Sequence, residues 1–104
     1  MNFADYQKQA RRTREGDCWL NMSLGLAGEA GEVCDLVKKS MYHGHEFDPN
    51  KLAKELGDVL WYVSNFADVL GLELEDIAKL NIDKLQRRYP NGFETIRSIR
   101  RQEE

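Results

Sequence analysis

At 104 residues the chain is long enough for one hydrophobic core and short for two. Its 41% hydrophobic and 32% charged residues are those of a soluble globular protein, and a net charge of −3 speaks against a primary role on nucleic acid polymers, which call for a basic excess or a concentrated basic face. No segment has the length of a membrane span and the first residues lack the apolar run of a signal peptide, so the expected setting is the cytoplasm, with no membrane partner.

Strand signals are weak throughout, and the periodic segments all read as helix. The first helix is predicted from about Phe3 to Thr13, with Asn2 as cap and Phe3, Tyr6 and Ala10 on one side. Arg14 to Asp17 then makes a turn. The second helix runs from about Trp19 to Tyr42, and Gly44 is its C-terminal stop. Asp48-Pro49 is a strong helix start, with the acid as cap and proline at the first helical position. That third helix continues to Leu70, where Gly71 ends it. The fourth spans about Glu73 to Tyr89 and stops before Pro90. Residues 94–104 read as a tail, in which Arg97, Arg100 and Arg101 form a solvated last turn ahead of Glu103 and Glu104. The short loop from His43 to Asp48 makes helices two and three antiparallel neighbours.

Those two helices repeat each other. Leu26-Ala-Gly-Glu-Ala-Gly-Glu-Val33 in one and Leu52-Ala-Lys-Glu-Leu-Gly-Asp-Val59 in the other begin alike, and each carries an acid pair spaced i, i+3: Glu29 with Glu32, and Glu55 with Asp58. Residues three apart are neighbours on a helix surface, so each pair can present its oxygens to one point. At about 100° per residue, Leu26, Ala30, Val33 and Val37 form one apolar stripe and Leu52, Leu56, Val59, Val63, Phe66 and Leu70 the other. On both helices the acids sit at the shoulder of the stripe rather than opposite it, where solvated acids belong. Like charges held together at a desolvated margin are costly unless a cation lies between them. Glycines at 25, 28, 31 and 57 surround the two motifs, and each costs about 1 kcal/mol against alanine, which close helix approach or room for a ligand would justify.

The chain resembles the MazG-like all-α nucleoside triphosphate pyrophosphohydrolases. The matching residues are the E-x-x-E of Glu29 and Glu32, the E-x-x-D of Glu55 and Asp58, and the run from Asn81 through Arg88-Tyr-Pro-Asn-Gly-Phe93, so the likeness extends from about Tyr6 to Phe93. It implies an all-α, four-helix MazG-like bundle, oligomeric, as a single domain over 1–104 with its core at about 3–93 and a tail at 94–104. It implies hydrolysis of a nucleoside triphosphate, NTP or dNTP, to the monophosphate and pyrophosphate, with Mg2+ as cofactor and Mn2+ as a substitute; clearance of non-canonical nucleotides is one such role. Glu29, Glu32, Glu55 and Asp58 would then be the metal ligands and the catalytic residues. Many relatives carry a further acid where this chain has Gly28, which leaves the number of ions open. The chain has no E-x-x-H pair, unlike di-iron bundles of similar plan.

Asn81, Lys84 and Arg88 fall at i, i+3 and i+7 beside the apolar face of Leu74, Ala78 and Leu85. Under the resemblance Lys84 and Arg88 hold phosphates and Asn81 contacts the nucleotide or orients a ligand; otherwise they are a solvated stripe. Tyr62, one turn after Asp58, is read as a stacking partner for base or sugar, or as core, and Asn65 lies on the same edge. Lys38 and Lys39 are read as solvated, Trp19 and Trp61 as pocket or interface residues, and His43 and His45 as loop histidines. Cys18 and Cys34 lack disulfide or zinc spacing. Self-association as a homodimer or homotetramer is expected because Leu60, Trp61 and Phe66 have no evident cover within the chain. The alternatives are a helical nucleotide-binding or interaction module without turnover, and a related enzyme acting on phosphoribosyl-ATP or dUTP.

Overall fold

The computed structural model describes residues 1–101; Glu103 and Glu104 of the predicted tail lie outside them. The elements are α1 (Phe3–Arg11), α2 (Trp19–Tyr42), α3 (Pro49–Val69), α4 (Leu74–Arg88) and the short α5 (Thr95–Ile99), with no strand among the described residues. The architecture is the all-helical, MazG-like plan with four long helices that the sequence predicts.

The ends are set locally. The Asn2 side chain accepts from the Asp5 amide at 2.8 Å, and Asp48 from the Asn50 amide at 2.9 Å with Pro49 behind it. Gly71, at φ +75°, closes α3: its amide donates to the Asp68 carbonyl and that of Leu72 to the Ala67 carbonyl, the paired bonds of a left-handed helix stop. Gly44, at φ +72°, lets the amides of His43 and His45 both reach the Lys39 carbonyl.

α2 and α3 form an antiparallel hairpin with the most extensive packing in the molecule, and α1 lies across α3 and α4. The fully buried apolar side chains among the described residues are Ala10, Met22, Ala67 and Leu74, and the buried polar ones Gln7, Ser64 and Asn65. The buried edge of α3 is therefore the Ser64, Asn65 and Ala67 edge beneath α1, not the stripe expected from periodicity, in which Leu56 is 52% exposed and Leu70 is 41% exposed. Asn65, one turn after Tyr62, is buried and donates to the carbonyls of Ala10 and Trp61. Trp61, expected at an interface, is half-buried and donates from Nε1 to Thr13 Oγ1 at 2.9 Å. The reason is α1, which covers a face of α3 that looks vacant when α3 is read alone.

Polar side chains lash α1 down. Gln7 donates to the Leu72 carbonyl at 2.9 Å and accepts from the Leu74 amide at 3.0 Å, satisfying a donor at the start of α4. Arg11 grips Asp68 through two nitrogens, at 2.6 and 3.0 Å, and Arg14 adds a third contact at 2.6 Å while also donating to Asn65 Oδ1. At the other end, the predicted tail contains α5, and Arg97 is not simply solvated: it donates to the carbonyls of Arg87 and Arg88, so a cation closes the C-terminus of α4.

The Arg11 guanidinium, with burial opposing and Arg14 assisting, holds the Asp68 carboxyl below its usual range. A lowered folded pKa adds stability that is complete above the unfolded carboxyl value of about 3.9 and is lost as pH falls from there through the folded value. Asp68→Asn should therefore lower stability by about 2 kcal/mol at pH 7, and denaturant melts should show the deficit shrinking below pH 4.

Candidate functional site

The hairpin brings three acids together. One carboxylate oxygen each from Glu29, Glu55 and Asp58 lie within 4.8 Å of one another, with Glu29 and Glu55 half-buried and Asp58 exposed. Antiparallel packing explains the set: Glu29 on α2 meets successive turns of α3 that carry Glu55 and Asp58. Glu32 stands one turn further along α2, outside this triad, though its charge still reaches Glu29. Three hard oxygen donors at this spacing suit a divalent cation such as Mg2+ or Mn2+.

The electrostatics bear on the same point. Burial raises the Glu29 carboxyl above its usual value, the Asp58 charge raises it further, and a hydrogen bond with Glu55 adds to both. A carboxylate cluster in this state lacks a countercharge. The Asp58 charge also reaches Tyr6 on α1, which the sequence placed only on the packing side of that helix: burial first and then that charge raise its hydroxyl pKa. Nothing in the spacing of α1 could have announced this, since the influence crosses from one helix to another.

Tyr62 sits one turn beyond Asp58 and is half-buried. The glycines around the acids divide into two kinds. A Cβ on Gly25 would run into the Tyr62 ring, whereas at Gly28, Gly31 and Gly57 it would meet nothing within 4 Å. Close approach thus accounts for Gly25 alone, and the other three face open space. Lys39 pairs with Asp35 at 2.8 Å and Lys38 with the same carboxylate at 3.7 Å, consistent with solvated lysines rather than phosphate ligands.

The polar residues predicted for phosphate and nucleotide lie on α4. Asn81 is exposed and Lys84 and Arg88 half-buried, on a helix that packs against α1 and α3. Among the described residues Lys84 forms no ion pair with the triad. Cys18 and Cys34 are both free and exposed. No helix of the described chain is long and apolar enough to cross a membrane.

The raised Glu29 pKa has a measurable consequence. Its ionised form disfavours the folded, metal-free chain, so the penalty is complete above the raised folded value and vanishes as pH falls below the unfolded one. Glu29→Gln should raise the thermal midpoint in EDTA at pH 7 and lose that advantage near pH 3.5. A lower midpoint in EDTA at pH 7 would contradict the electrostatic reading.

Comparison with known proteins agrees with this geometry. The chain is 37% identical over 75 residues to the "Gene 37 protein" of Mycobacterium phage L5, an alignment covering 68% of this chain and 66% of that protein. No solved structure matches. Residues 19–93 match the model of the MazG nucleotide pyrophosphohydrolase domain, a segment that holds the whole triad together with Glu32, Tyr62, Asn81, Lys84 and Arg88. On that match over most of its length, the chain belongs to the MazG nucleotide pyrophosphohydrolase family.

Proposed function

We propose that the chain is a Mg2+-dependent nucleoside triphosphate pyrophosphohydrolase, a single domain that splits the α–β anhydride of an NTP or dNTP to give the monophosphate and pyrophosphate. The observation that carries this reading is the Glu29, Glu55 and Asp58 triad, whose oxygens lie within 4.8 Å inside the segment matching the family. Its substrates would include non-canonical nucleotides, and its setting would be the cytoplasm, where the nucleotide pool is.

When bound, a divalent cation supplies positive charge against the triphosphate and makes water more acidic. The chain's own residues do the rest. Glu29, Glu55 and Asp58 would hold the cation, with Glu32 as the fourth acid. Because Glu32 stands outside the triad, its carboxylate is available to take the proton of the attacking water. Tyr62 would support the base or sugar, and Lys84, Arg88 and Asn81 would meet phosphate and nucleotide. A phosphate between the cation and α4 would let Lys84 act without an ion pair to the triad.

Self-association as a homodimer or homotetramer has independent physical support. The chain exposes 8066 Å², where a compact monomer of this mass exposes about 6,000 Å². Its radius of gyration is 16.7 Å against about 13 Å expected. The surplus resembles one protomer's share of a large interface, and Leu24, Leu56, Leu80 and Ile82 are each more than half exposed. A second reading is a nucleotide-binding module without turnover; a related enzyme for phosphoribosyl-ATP or dUTP is a variant of the first.

Pyrophosphate release from ribo-, deoxyribo- and oxidised nucleoside triphosphates, with dUTP and phosphoribosyl-ATP included, should be seen with Mg2+ and abolished by EDTA; silence across the panel with Mg2+ still bound would favour the binding module. Glu55→Gln should lose turnover by at least about a hundredfold while retaining helical content, and wild-type rates would remove Glu55 from the site. Sedimentation at micromolar concentration should show a dimer or larger species, and a monomer alone would end the self-association proposal.

A further inference from the structure

Among the glycines of α2, Gly25 has a steric reason that its neighbours lack. A Cβ there would lie 2.1 Å from Cε1 and 2.3 Å from Cζ of Tyr62, inside the van der Waals envelope of the ring. The phenol ring therefore rests on bare backbone of α2. Trp61 meets the same ring edge-on, with centroids 4.9 Å apart and planes at 80°. The indole is itself tied to the end of α1 by its bond to Thr13 Oγ1. Three segments of the chain thus fix one aromatic side chain, and the missing side chain at position 25 is what admits it.

The place of this seat matters. Gly25 is one turn before Glu29 on α2, and Tyr62 one turn after Asp58 on α3. Helical side chains lean towards the N-terminus of their own helix, so Tyr62 leans towards the turn of Asp58 while Glu29 leans towards Gly25. Ring and carboxylates border one space. A phenol fixed at that border can bear the organic part of a ligand whose phosphates reach the triad.

We propose that Gly25 is a positioning residue, whose lack of a side chain seats Tyr62 between α2 and Trp61 as the aromatic wall of the triad's ligand space. The seat stands on the geometry alone; the identity of the ligand rests on the pyrophosphohydrolase reading. Helix propensity makes the opposite forecast, because glycine to alanine in a helix with free space is stabilising.

The test compares the full chain as wild type, Gly25→Ala, Tyr62→Ala and the double variant, with Gly31→Ala as the same methyl added to the same helix in open space. Gly25→Ala should raise KM for the triphosphate about tenfold, with kcat changed by less than about twofold. Tyr62→Ala should do likewise, and the double variant should be no worse than Tyr62→Ala, since the methyl then displaces nothing. Additive losses, an unchanged KM in Gly25→Ala, or an equal rise in Gly31→Ala would each overturn the proposal. If Gly25→Ala fails to fold, recovery in the double variant supports the seat and continued failure refutes it. Should the wild-type chain hydrolyse nothing, the enzymatic reading falls by itself. The seat is then judged by near-ultraviolet circular dichroism, where Gly25→Ala should change the Trp61–Tyr62 signal and an unchanged spectrum refutes it.

Discussion

The antiparallel register of α2 against α3 is the constraint on which the rest of the molecule depends. The register that lays Tyr62 on Gly25 also brings Glu29 to Asp58 and Glu55, because a step of one turn along α2 is matched by a step of one turn back along α3. A slip of one residue would rotate the faces by about 100° and part the acids. The register begins in the loop, where Gly44 ends one helix and Asp48-Pro49 starts the next. It is kept against an adverse force, for the acids repel and Glu29 is pushed towards its neutral form.

What holds the hairpin against that repulsion lies away from the acids. α1 crosses α3 and is fastened by Gln7, by Arg11 and Arg14 on Asp68, and by Asn65 beneath the Ala10 carbonyl. These contacts are polar and directional, in a molecule whose buried apolar side chains among the described residues are few, two of them alanines. Charge-assisted bonds at a half-buried site fix geometry well but contribute modest net free energy. Such a chain gains from any partner that covers its leucine-rich outer faces, and from any cation that relieves the triad.

The helix boundaries were legible because they are local. Asn2, Asp48-Pro49, Gly44 and Gly71 act on backbone groups within a few residues, so their effect can be read without knowing what packs nearby. Periodicity failed where a third element intervened. The apolar stripe of α3 contains Leu56 and Leu70, both exposed, while the buried edge is Ser64, Asn65 and Ala67, polar or small residues chosen to fit under α1. Trp61 was misplaced for the same reason, and α5 with its Arg97 cap was too short to stand out from a charged tail.

For the acids the division is equally physical. The i, i+3 spacing on two matching helices determined by itself that each helix offers a pair of carboxylates on one edge, and the hairpin loop determined that the pairs would be at similar height. Only the tertiary structure decided which oxygens converge, since that depends on helix rotation and separation, quantities set by every side chain in the interface. It selected Glu29, Glu55 and Asp58 and left Glu32 one turn aside. The spacing of a motif is fixed by the chain's covalent order, whereas the meeting of two motifs is fixed by packing, and it is the meeting that makes a site.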